Sequence, residues 1–171
     1  MPVRKLFSMT NDYMQNNEAA DEGICTVASL QWCKKCLEHN RGLGSYAELS
    51  LSDHQLNALM ALLRHLDDQP GPQTQGMGLR RTNAGDQDIS TVAELQTNVA
   101  NSTSKIAIFW NQYHTMAYRV GDHSEYEWFD QNFGCWLANN EADMKKFMED
   151  EWKTKYSDPQ GAIIGMRVVQ I

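Results

Sequence analysis

Three side chains have types that could serve as a nucleophile, a base and a group that orients the base. They are Cys25, His114 and Asp130. Cys25 follows Gly23 and Ile24 at the predicted start of a helix. The first N–H groups of a helix are unpaired, and their partial positive charge favours a thiolate, the form of cysteine that attacks carbonyl groups. Such a nucleophile needs a base to take its proton and, usually, a third group to orient that base. We therefore predict Cys25 as nucleophile, His114 as base and Asp130 as the orienting group.

His114 and Asp130 lie on neighbouring predicted strands, at the start of one and at the end of the next. If the two strands form a hairpin in which Tyr118 faces Tyr126, His114 falls directly opposite Asp130. Opposite residues on paired strands point to the same face with Cβ atoms about 5 Å apart, so an imidazole can reach a carboxylate. Nothing local links position 25 to this pair.

Each of the three residues also has an ordinary structural interpretation. Cys25 could be a small buried apolar residue, His114 a strand residue with satisfied hydrogen bonds, and Asp130 a turn former. His39, His54, His65 and His123 keep that ordinary interpretation, because they fall on predicted helix surfaces or in a turn. The occurrence of a Cys, a His and an Asp in this order on suitable elements favours the catalytic interpretation for the first three.

The pair Cys33 and Cys36 has the spacing of a zinc half-site or of a redox motif. A zinc site needs a second pair of ligands, and Cys135 has no neighbouring ligand. A redox pair would open its helix after a strand, whereas this pair lies in the middle of a predicted helix. The sequence therefore predicts core packing for both thiols, with no metal, no cofactor and no structural disulfide.

The first half of the chain has mainly helical periodicity, and the second half mainly alternates between apolar and polar residues. Helices are predicted over residues 25–38, from a capping-box pattern at Ser52 to about residue 66, over 90–100 and over 140–156. Strands are predicted over residues 105–110, 114–120, 125–130 and 161–171. Residues 1–23 are predicted to be irregular, and residues 70–88, rich in Gly and Pro, to form a long mobile loop. The order of elements predicts an α+β domain with a mostly antiparallel sheet.

Length and charge exclude several classes of protein. A chain of 171 residues can bury a proper core, so we expect residues 1–171 to form a single domain. The 15 Lys and Arg residues are scattered in a chain of net charge −7, which argues against a nucleic-acid partner. No apolar run approaches the roughly 20 residues that span a bilayer, so no integral membrane segment is expected. The amino-terminal stretch lacks the apolar core of a Sec signal, which predicts a protein made in the cytoplasm without one.

Three short motifs stand out around the three candidate residues. They are Gly23-Ile24-Cys25 followed by a helix that reaches Trp32, His114-Thr115-Met116-Ala117, and Phe129-Asp130-Gln131-Asn132-Phe133-Gly134. Together these motifs resemble the YopT-like cysteine proteases of bacterial pathogens. The resemblance implies a papain-like fold, in which helices, one of them carrying the cysteine, pack on an antiparallel sheet that carries the His and the Asp. It also implies a secreted effector that is delivered into a host cell.

The chain departs from the family pattern at two positions. Thr115 stands where the family tends to have Ala, and Gln131 where it tends to have Pro. Papain-like enzymes place an amide side chain ahead of the cysteine to help bind the oxyanion, and Gln15, Asn16 and Asn17 are all candidates here. The backbone N–H of the cysteine is the other expected donor.

The leading hypothesis is a papain-like thiol hydrolase that cleaves a host protein. A glutamine deamidase or an acyl-transfer enzyme could use the same triad, and a non-enzymatic binding module could share the fold while binding a basic protein through the 70–88 loop and the acidic surface. Acidic clusters at 21–22 and 122–127 flank the triad in the sequence. Acidic edges would attract a basic segment of a protein substrate, so that chemistry is the expected partner.

Overall fold

The computed structural model describes most of the chain. The described residues are 3–9, 25–51, 55–56, 58–59, 70–112, 114–155 and 162–171. The oxyanion candidates Gln15, Asn16 and Asn17 lie outside these residues, and so does most of the helix predicted from Ser52. Residues 55–56 and 58–59 of that helix are described, and they are helical.

Seven strands form one sheet in the described part of the chain. They are β1 (Val3–Ser8), β2 (Arg80–Asp88), β3 (Ile106–Trp110), β4 (Thr115–Gly121), β5 (Glu125–Asp130), β6 (Gly134–Ala138) and β7 (Gly165–Gln170). Their order across the sheet is β1-β6-β5-β4-β3-β7-β2, and every described pairing is antiparallel. The predicted meander is therefore confirmed at the centre of the sheet, as β3, β4 and β5.

Helices cover both faces of this sheet. They are α1 (Cys25–His39), α2 (Pro70–Gly76), α3 (Val92–Ala100) and α4 (Glu141–Lys155). The alternation in β3 separates the two cores, because Ile106 and Ile108 pack with α1 while Ala107 and Phe109 pack with α3 and α4. The mixture of helices with an antiparallel sheet is the predicted α+β class. No helix in the described residues is long and apolar enough to cross a membrane.

Helix α1 is buried around most of its first half, as its apolar sequence predicted. Its buried residues are Val27, Ala28, Ser29, Leu30, Gln31, Trp32, Cys33 and Cys36. The ring of Trp32 stacks on Phe129 of β5, with centroids 5.6 Å apart and planes 6° apart. Since Phe129 precedes Asp130, this contact fixes the first half of α1 against the end of β5.

Two segments expected to be irregular contain strands. Residues 3–8, inside the segment predicted to be a loop, form the edge strand β1, and residues 70–88 form α2 and β2 instead of a mobile loop. Strand β2 pairs on one side only, with β7, and most of its residues are exposed or half-buried. A strand with two solvated faces needs no apolar alternation, so its sequence has no strand signal.

The polar strand β2 is anchored by a buried arginine of β7. Arg167 is completely buried, and its guanidinium donates to both carboxylate oxygens of Asp86 in β2. It also donates to the Thr74 hydroxyl of α2, at 2.8 Å. A bidentate, charge-assisted pair of this kind holds a planar geometry, so it orders a segment that has few apolar contacts of its own.

The register of the β4–β5 hairpin differs from the predicted one by two residues. Tyr118 pairs with Trp128, whereas the sequence analysis placed it opposite Tyr126. The connection is the short turn after Gly121, which sets the register. A shift of two residues leaves each side chain on its predicted face, but it moves His114 out of direct opposition to Asp130.

Candidate active site

Cys25 is the first residue of α1, and its side chain is partly exposed. No acidic residue lies in the first turn of the helix, so nothing there opposes a negative charge on the sulfur. The unpaired N–H groups of the helix start favour that charge. Within the described residues, this thiol therefore lies at the start of a helix, the position that favours a thiolate.

His114 lies in the connection between β3 and β4 and is held by its backbone. Its N–H donates to the side-chain Oδ1 of Asn111 at 2.7 Å, and the N–H of Asn111 donates to the His114 carbonyl at 3.0 Å. Both residues are buried. This reciprocal pair of hydrogen bonds closes the connection and fixes the direction in which the imidazole leaves the chain.

Asp130 ends β5 and is completely buried. Its Oδ1 lies 2.7 Å from Nε2 of His114 and accepts a second hydrogen bond, from the N–H of Asn132, at 2.9 Å. The turn closes when the Phe133 N–H donates to the Asp130 carbonyl. The carboxylate is therefore fixed by its own turn, as the turn-forming sequence suggested, and it also contacts the imidazole.

His114 and Asp130 are in direct contact, and Cys25 lies close enough to His114 for each of the two to shift the pKa of the other. Because Nε2 of His114 faces Asp130, Nδ1 is the ring nitrogen left for Cys25. The predicted direct opposition of His114 and Asp130 is wrong. His114 instead reaches Asp130 from the loop before β4, since the position opposite Asp130 in this register falls at Met116.

Electrostatics at the site favour a thiolate–imidazolium pair. Burial raises the pKa of Cys25, but the hydrogen bond and charge of His114, together with hydrogen bonds from the backbone and the hydroxyl of Thr115, outweigh it and leave the pKa below its ordinary value. Burial lowers the pKa of His114, but Asp130 and Cys25 outweigh that effect and raise it to about 9. A thiolate beside a protonated imidazole is thus stabilised over a pH range that ends near pH 9, where His114 loses its proton.

The other three cysteines, Cys33, Cys36 and Cys135, behave in the opposite way. They are buried free thiols, and burial raises the pKa of each of them. Core packing of Cys33 and Cys36, the predicted role, is what the structure has. No group of three or more His, Cys, Asp or Glu residues within the described ranges could hold a metal ion.

Two hydroxyl contacts tie the cysteine helix to the strand that follows His114. The Thr26 and Thr115 hydroxyl oxygens are 2.9 Å apart, and the Ser29 hydroxyl donates to the Thr115 carbonyl at 3.1 Å. These residues, and Asn111, were not assigned roles from the sequence. The Asn three residues before the His is a local signal that could have been found, but nothing local connects Thr26 to Thr115.

One of the two acidic clusters thought to flank the triad lies elsewhere. Residues 122–127 surround the turn between β4 and β5, whereas His114 precedes β4 and Asp130 ends β5. The turn is therefore at the far end of the hairpin, roughly 20 Å away at about 3.3 Å per residue. In this acidic cluster, Glu127 of β5 is buried and forms an ion pair with Arg119 of β4. The other cluster, at 21–22, lies outside the described residues.

Comparisons with known proteins show that this chain is similar to two solved structures in its fold. No protein-family model matches the sequence, and no curated protein matches it. The structure is similar to that of the Pseudomonas avirulence protein AvrPphB, with a TM-score of 0.55 and 17% identity over 91% of this chain and 95% of that one. It is also similar to PatoxP, a cysteine protease-like domain of the Photorhabdus asymbiotica toxin PaTox, with a TM-score of 0.56 and 14% identity over 94% of this chain and 52% of that one. The expected papain-like fold, and the resemblance that suggested it, are confirmed.

Proposed function

We propose that the protein is a thiol hydrolase that cleaves a peptide bond, with Cys25 as nucleophile, His114 as base and then acid, and Asp130 as the group that orients His114. The observation that carries this proposal is the buried hydrogen bond of 2.7 Å between His114 Nε2 and Asp130 Oδ1, combined with the mutual effect of His114 and Cys25, which lowers the pKa of the thiol and raises that of the imidazole. A binding module has no need of a partly exposed thiol with a lowered pKa beside this pair.

The reaction begins from the thiolate–imidazolium pair. The Cys25 sulfur attacks the scissile carbonyl, and the electrons of the carbonyl double bond move to its oxygen. The backbone N–H of Cys25 is the expected donor to that oxyanion, with Gln15, Asn16 or Asn17 as the predicted additional donor. When the intermediate collapses, the C–N bond breaks and the His114 imidazolium gives its proton to the leaving amine.

Hydrolysis of the thioester restores the enzyme. The now neutral His114 accepts a proton from a water molecule, and the resulting hydroxide attacks the acyl carbon. The C–S bond breaks, the carboxylic product leaves, and the sulfur departs as a thiolate beside the imidazolium. Asp130 keeps Nε2 protonated throughout, so Nδ1 remains the atom that exchanges protons.

We also propose that the protein acts as an effector inside a host cell. The support is the similarity of its fold to an avirulence protein and to a domain of a toxin. The basic character of the substrate segment now depends on the net charge of −7 and on the cluster at 21–22, because the cluster at 122–127 is remote from the site. The shape of the substrate-binding pocket therefore contributes to substrate specificity as much as charge does.

A digestion of host proteins tests the activity. We would incubate purified protein with denatured host extract and identify new amino termini by mass spectrometry, with Cys25→Ala as the inactive variant. Cys36→Ala, which removes a buried thiol, is the matched control and should retain activity. New termini that depend on Cys25 support the proposal. Conversion of Gln to Glu with release of ammonia would replace it with a deamidase, and no Cys25-dependent change at all would contradict enzymatic activity.

A further inference from the structure

A cavity of 470 Å³ lies between the edge strand β2, the neighbouring strand β7 and the end of α3. Its lining is almost entirely polar and neutral. Every lining residue carries an amide or a hydroxyl group except Ala84 and Val168, and none of them is charged. The volume falls within the range of about 300 to 1,000 Å³ that is usual for sites of small ligands.

The cavity exists because β2 leaves its regular pairing with β7. Arg81 and Asp86 both pair with β7, and residues 82–85 between them stand opposite the single residue Val168. Within this segment Gly85 has φ +65°, a conformation that favours glycine. A bulge of this kind leaves its extra residues outside the ladder. Residues 82–85 therefore border an open space instead of continuing the sheet.

The cavity is separate from the candidate active site. Val168 belongs to the core beneath α3 and α4, whereas α1, which begins at Cys25, packs on the other face of the sheet. Val168 pairs with Ala107, three residues and roughly 10 Å before the end of β3 that pairs with Thr115. Strand β2 is also three strands away from β4. A ligand in the cavity would therefore not occupy the candidate active site.

The lining restricts the chemistry of a ligand. An ionised ligand would lose hydration without gaining an ion pair, because no lining side chain is charged. A lipid or an aromatic ligand would find apolar contact only at Ala84 and Val168. Amides and hydroxyls each donate and accept hydrogen bonds. The matching ligand is uncharged and carries several groups that also donate and accept, which is the chemistry of sugar hydroxyls.

An extended peptide is the other neutral ligand that is rich in hydrogen-bonding groups. It would bind to the outer edge of β2 as a further strand, which requires evenly spaced backbone N–H and C=O groups. The bulge at 82–85 interrupts that spacing, and bulges are one way in which edge strands avoid such pairing. The shape of β2 therefore favours a small ligand over an added strand.

Two half-buried carboxamides face the cavity from different elements, Gln87 from β2 and Asn98 from α3. Neither side chain forms a hydrogen bond to any residue in the described part of the chain. A third half-buried carboxamide in the lining, Gln170, instead donates to the Arg81 carbonyl at 3.4 Å. Gln87 and Asn98 are thus the lining amides best placed to bind a ligand.

We propose that this cavity is a binding site for an uncharged saccharide, with Gln87 and Asn98 as its principal hydrogen-bonding residues. The site goes beyond the proposed function and does not rest on it, because no residue of the triad takes part. Hydroxyl groups of the sugar bind to the two carboxamides, and an apolar face of the sugar ring packs on Val168 and Ala84.

The experiment is an NMR titration of the full chain, labelled with nitrogen-15, with glucose, galactose, N-acetylglucosamine, maltose, lactose and cellobiose. At least one of these neutral sugars should shift the side-chain amide signals of Gln87 and Asn98 in a saturable way. Glucose 6-phosphate should bind at least tenfold more weakly than its best neutral counterpart. Gln87→Ala and Asn98→Ala should each weaken binding about tenfold, the effect of one lost hydrogen bond.

Two controls accompany the titration. Gln75→Ala removes an exposed carboxamide of α2 that does not line the cavity, and it should leave the affinity unchanged. Cys25→Ala should also bind the sugar like the wild type. The spectrum of each variant reports whether it is folded, and if Gln87→Ala is not, Asn98→Ala on the helix carries the same test.

The inference is wrong if none of the neutral sugars shifts the cavity signals saturably, or if the variants of Gln87 and Asn98 bind as the wild type does. Saturable shifts caused by a neutral Gly-Ser-Asn peptide and by none of the sugars would assign the cavity to peptides and overturn the proposal. Cleavage that depends on Cys25 is a separate measurement. The proposed function therefore stands or falls independently of this site.

Discussion

His114 is held at two points, and both bear on its proposed role. Its ring is bonded to the completely buried Asp130, and its backbone is bonded to Asn111. A base that is fixed at its backbone and at one ring nitrogen needs little further ordering when the substrate arrives. For the proposed proton transfer, the position of the imidazole is therefore set before the substrate arrives.

Removal of the backbone support should slow the reaction without removing any proposed catalytic group. Asn111→Ala leaves the His114 N–H without its side-chain acceptor, and the imidazole loses a defined direction. We expect kcat/KM to fall roughly tenfold, the equivalent of about one lost hydrogen bond plus misplacement. Asn111→Asp keeps an acceptor oxygen at the same position and should retain more activity. Equal activity of the wild type and Asn111→Ala would contradict this role.

The dependence of activity on pH should follow the ion pair. As pH rises through about 9, His114 loses the proton that the leaving group needs, so kcat/KM falls. As pH falls below the lowered pKa of Cys25, the thiolate is protonated and activity falls again. Asp130→Asn removes the negative partner of the imidazolium, so the alkaline limb should move to lower pH. An unchanged alkaline limb in this variant would show that Asp130 does not act on His114.

Residue types and their order suggested the three candidate site residues, whose catalytic roles stay a proposal, but they did not predict the contacts of these residues. The prediction depended on a Cys at a helix start and on a His and an Asp on adjacent strands. The hydroxyl contacts of Thr26 and Ser29 with Thr115 join residues almost 90 positions apart, and no periodicity or turn pattern reports such a pair. These contacts therefore depend on the packing of α1 on β4.

At the scale of elements, the tight turn from β5 to β6 positions Asp130. Gly134, at the end of that turn, has φ +145°, and a Cβ there would lie against the carbonyl oxygen of Phe7 in β1. Only glycine adopts this conformation and permits this close approach without strain. The turn that holds the carboxylate thus depends on a neighbouring strand that sequence patterns did not reveal.

Gly134→Ala should destabilise the protein and disturb Asp130. Backbone strain of this kind costs about 1 to 3 kcal/mol, and the clash with Phe7 adds to it. Gly44→Ala is the matched control, because nothing lies within 4 Å of the added Cβ. Urea unfolding followed by tryptophan fluorescence measures both changes. Equal stability of the two variants would contradict the account of this turn.

Most elements with strong apolar patterns were predictable from the sequence, whereas the edge strands and the interior strand β6 were not. The strands β3, β4 and β5 lie at the centre of the sheet and are rich in apolar residues. Helix α3 begins at a Thr91 cap that accepts the Glu94 N–H, which is a local signal. β1 and β2 lie at the edges of the sheet. An edge strand with a solvated face carries little apolar alternation, so its identity depends on partners distant in the chain.

At the scale of the whole molecule, one sheet collects strands from Val3 to Gln170. Strands from near both ends of the described residues thus belong to one sheet, and the single domain over residues 1–171 stays a prediction. The site lies where β4 begins and β5 ends, beside the start of α1, so its groups come from distant parts of the chain. Stability and catalysis should therefore be separable.

Site variants and a core variant should differ in stability. Cys25→Ala and His114→Ala should abolish turnover while the free energy of unfolding stays within about 1 to 2 kcal/mol of the wild type. Leu30→Ala truncates a completely buried side chain of α1 and should cost about 2 to 5 kcal/mol. If the site variants lose as much stability as Leu30→Ala, these residues serve the fold rather than a reaction.

The overall charge gives a prediction about substrate association. A molecule of net charge −7 attracts basic segments, and this attraction weakens as salt screens it. For a basic substrate, kcat/KM should fall as salt rises from about 0.05 to about 0.5 M, because the Debye length shrinks severalfold. A rate independent of salt, or a cleavage site rich in Asp and Glu, would assign specificity to pocket shape alone.

The central claim, a Cys25 thiolate paired with a protonated His114, is tested most directly by the pH dependence of alkylation with iodoacetamide. Peptide mapping by mass spectrometry measures the rate at each cysteine separately. We predict that Cys25 reacts in two steps, one below the ordinary pKa of a thiol, from the ion pair, and a second near pH 9 as His114 loses its proton. His114→Ala should remove the first step, and the three buried cysteines should react only after unfolding. A single step near pH 8.5 for Cys25, unchanged in His114→Ala, would contradict the account.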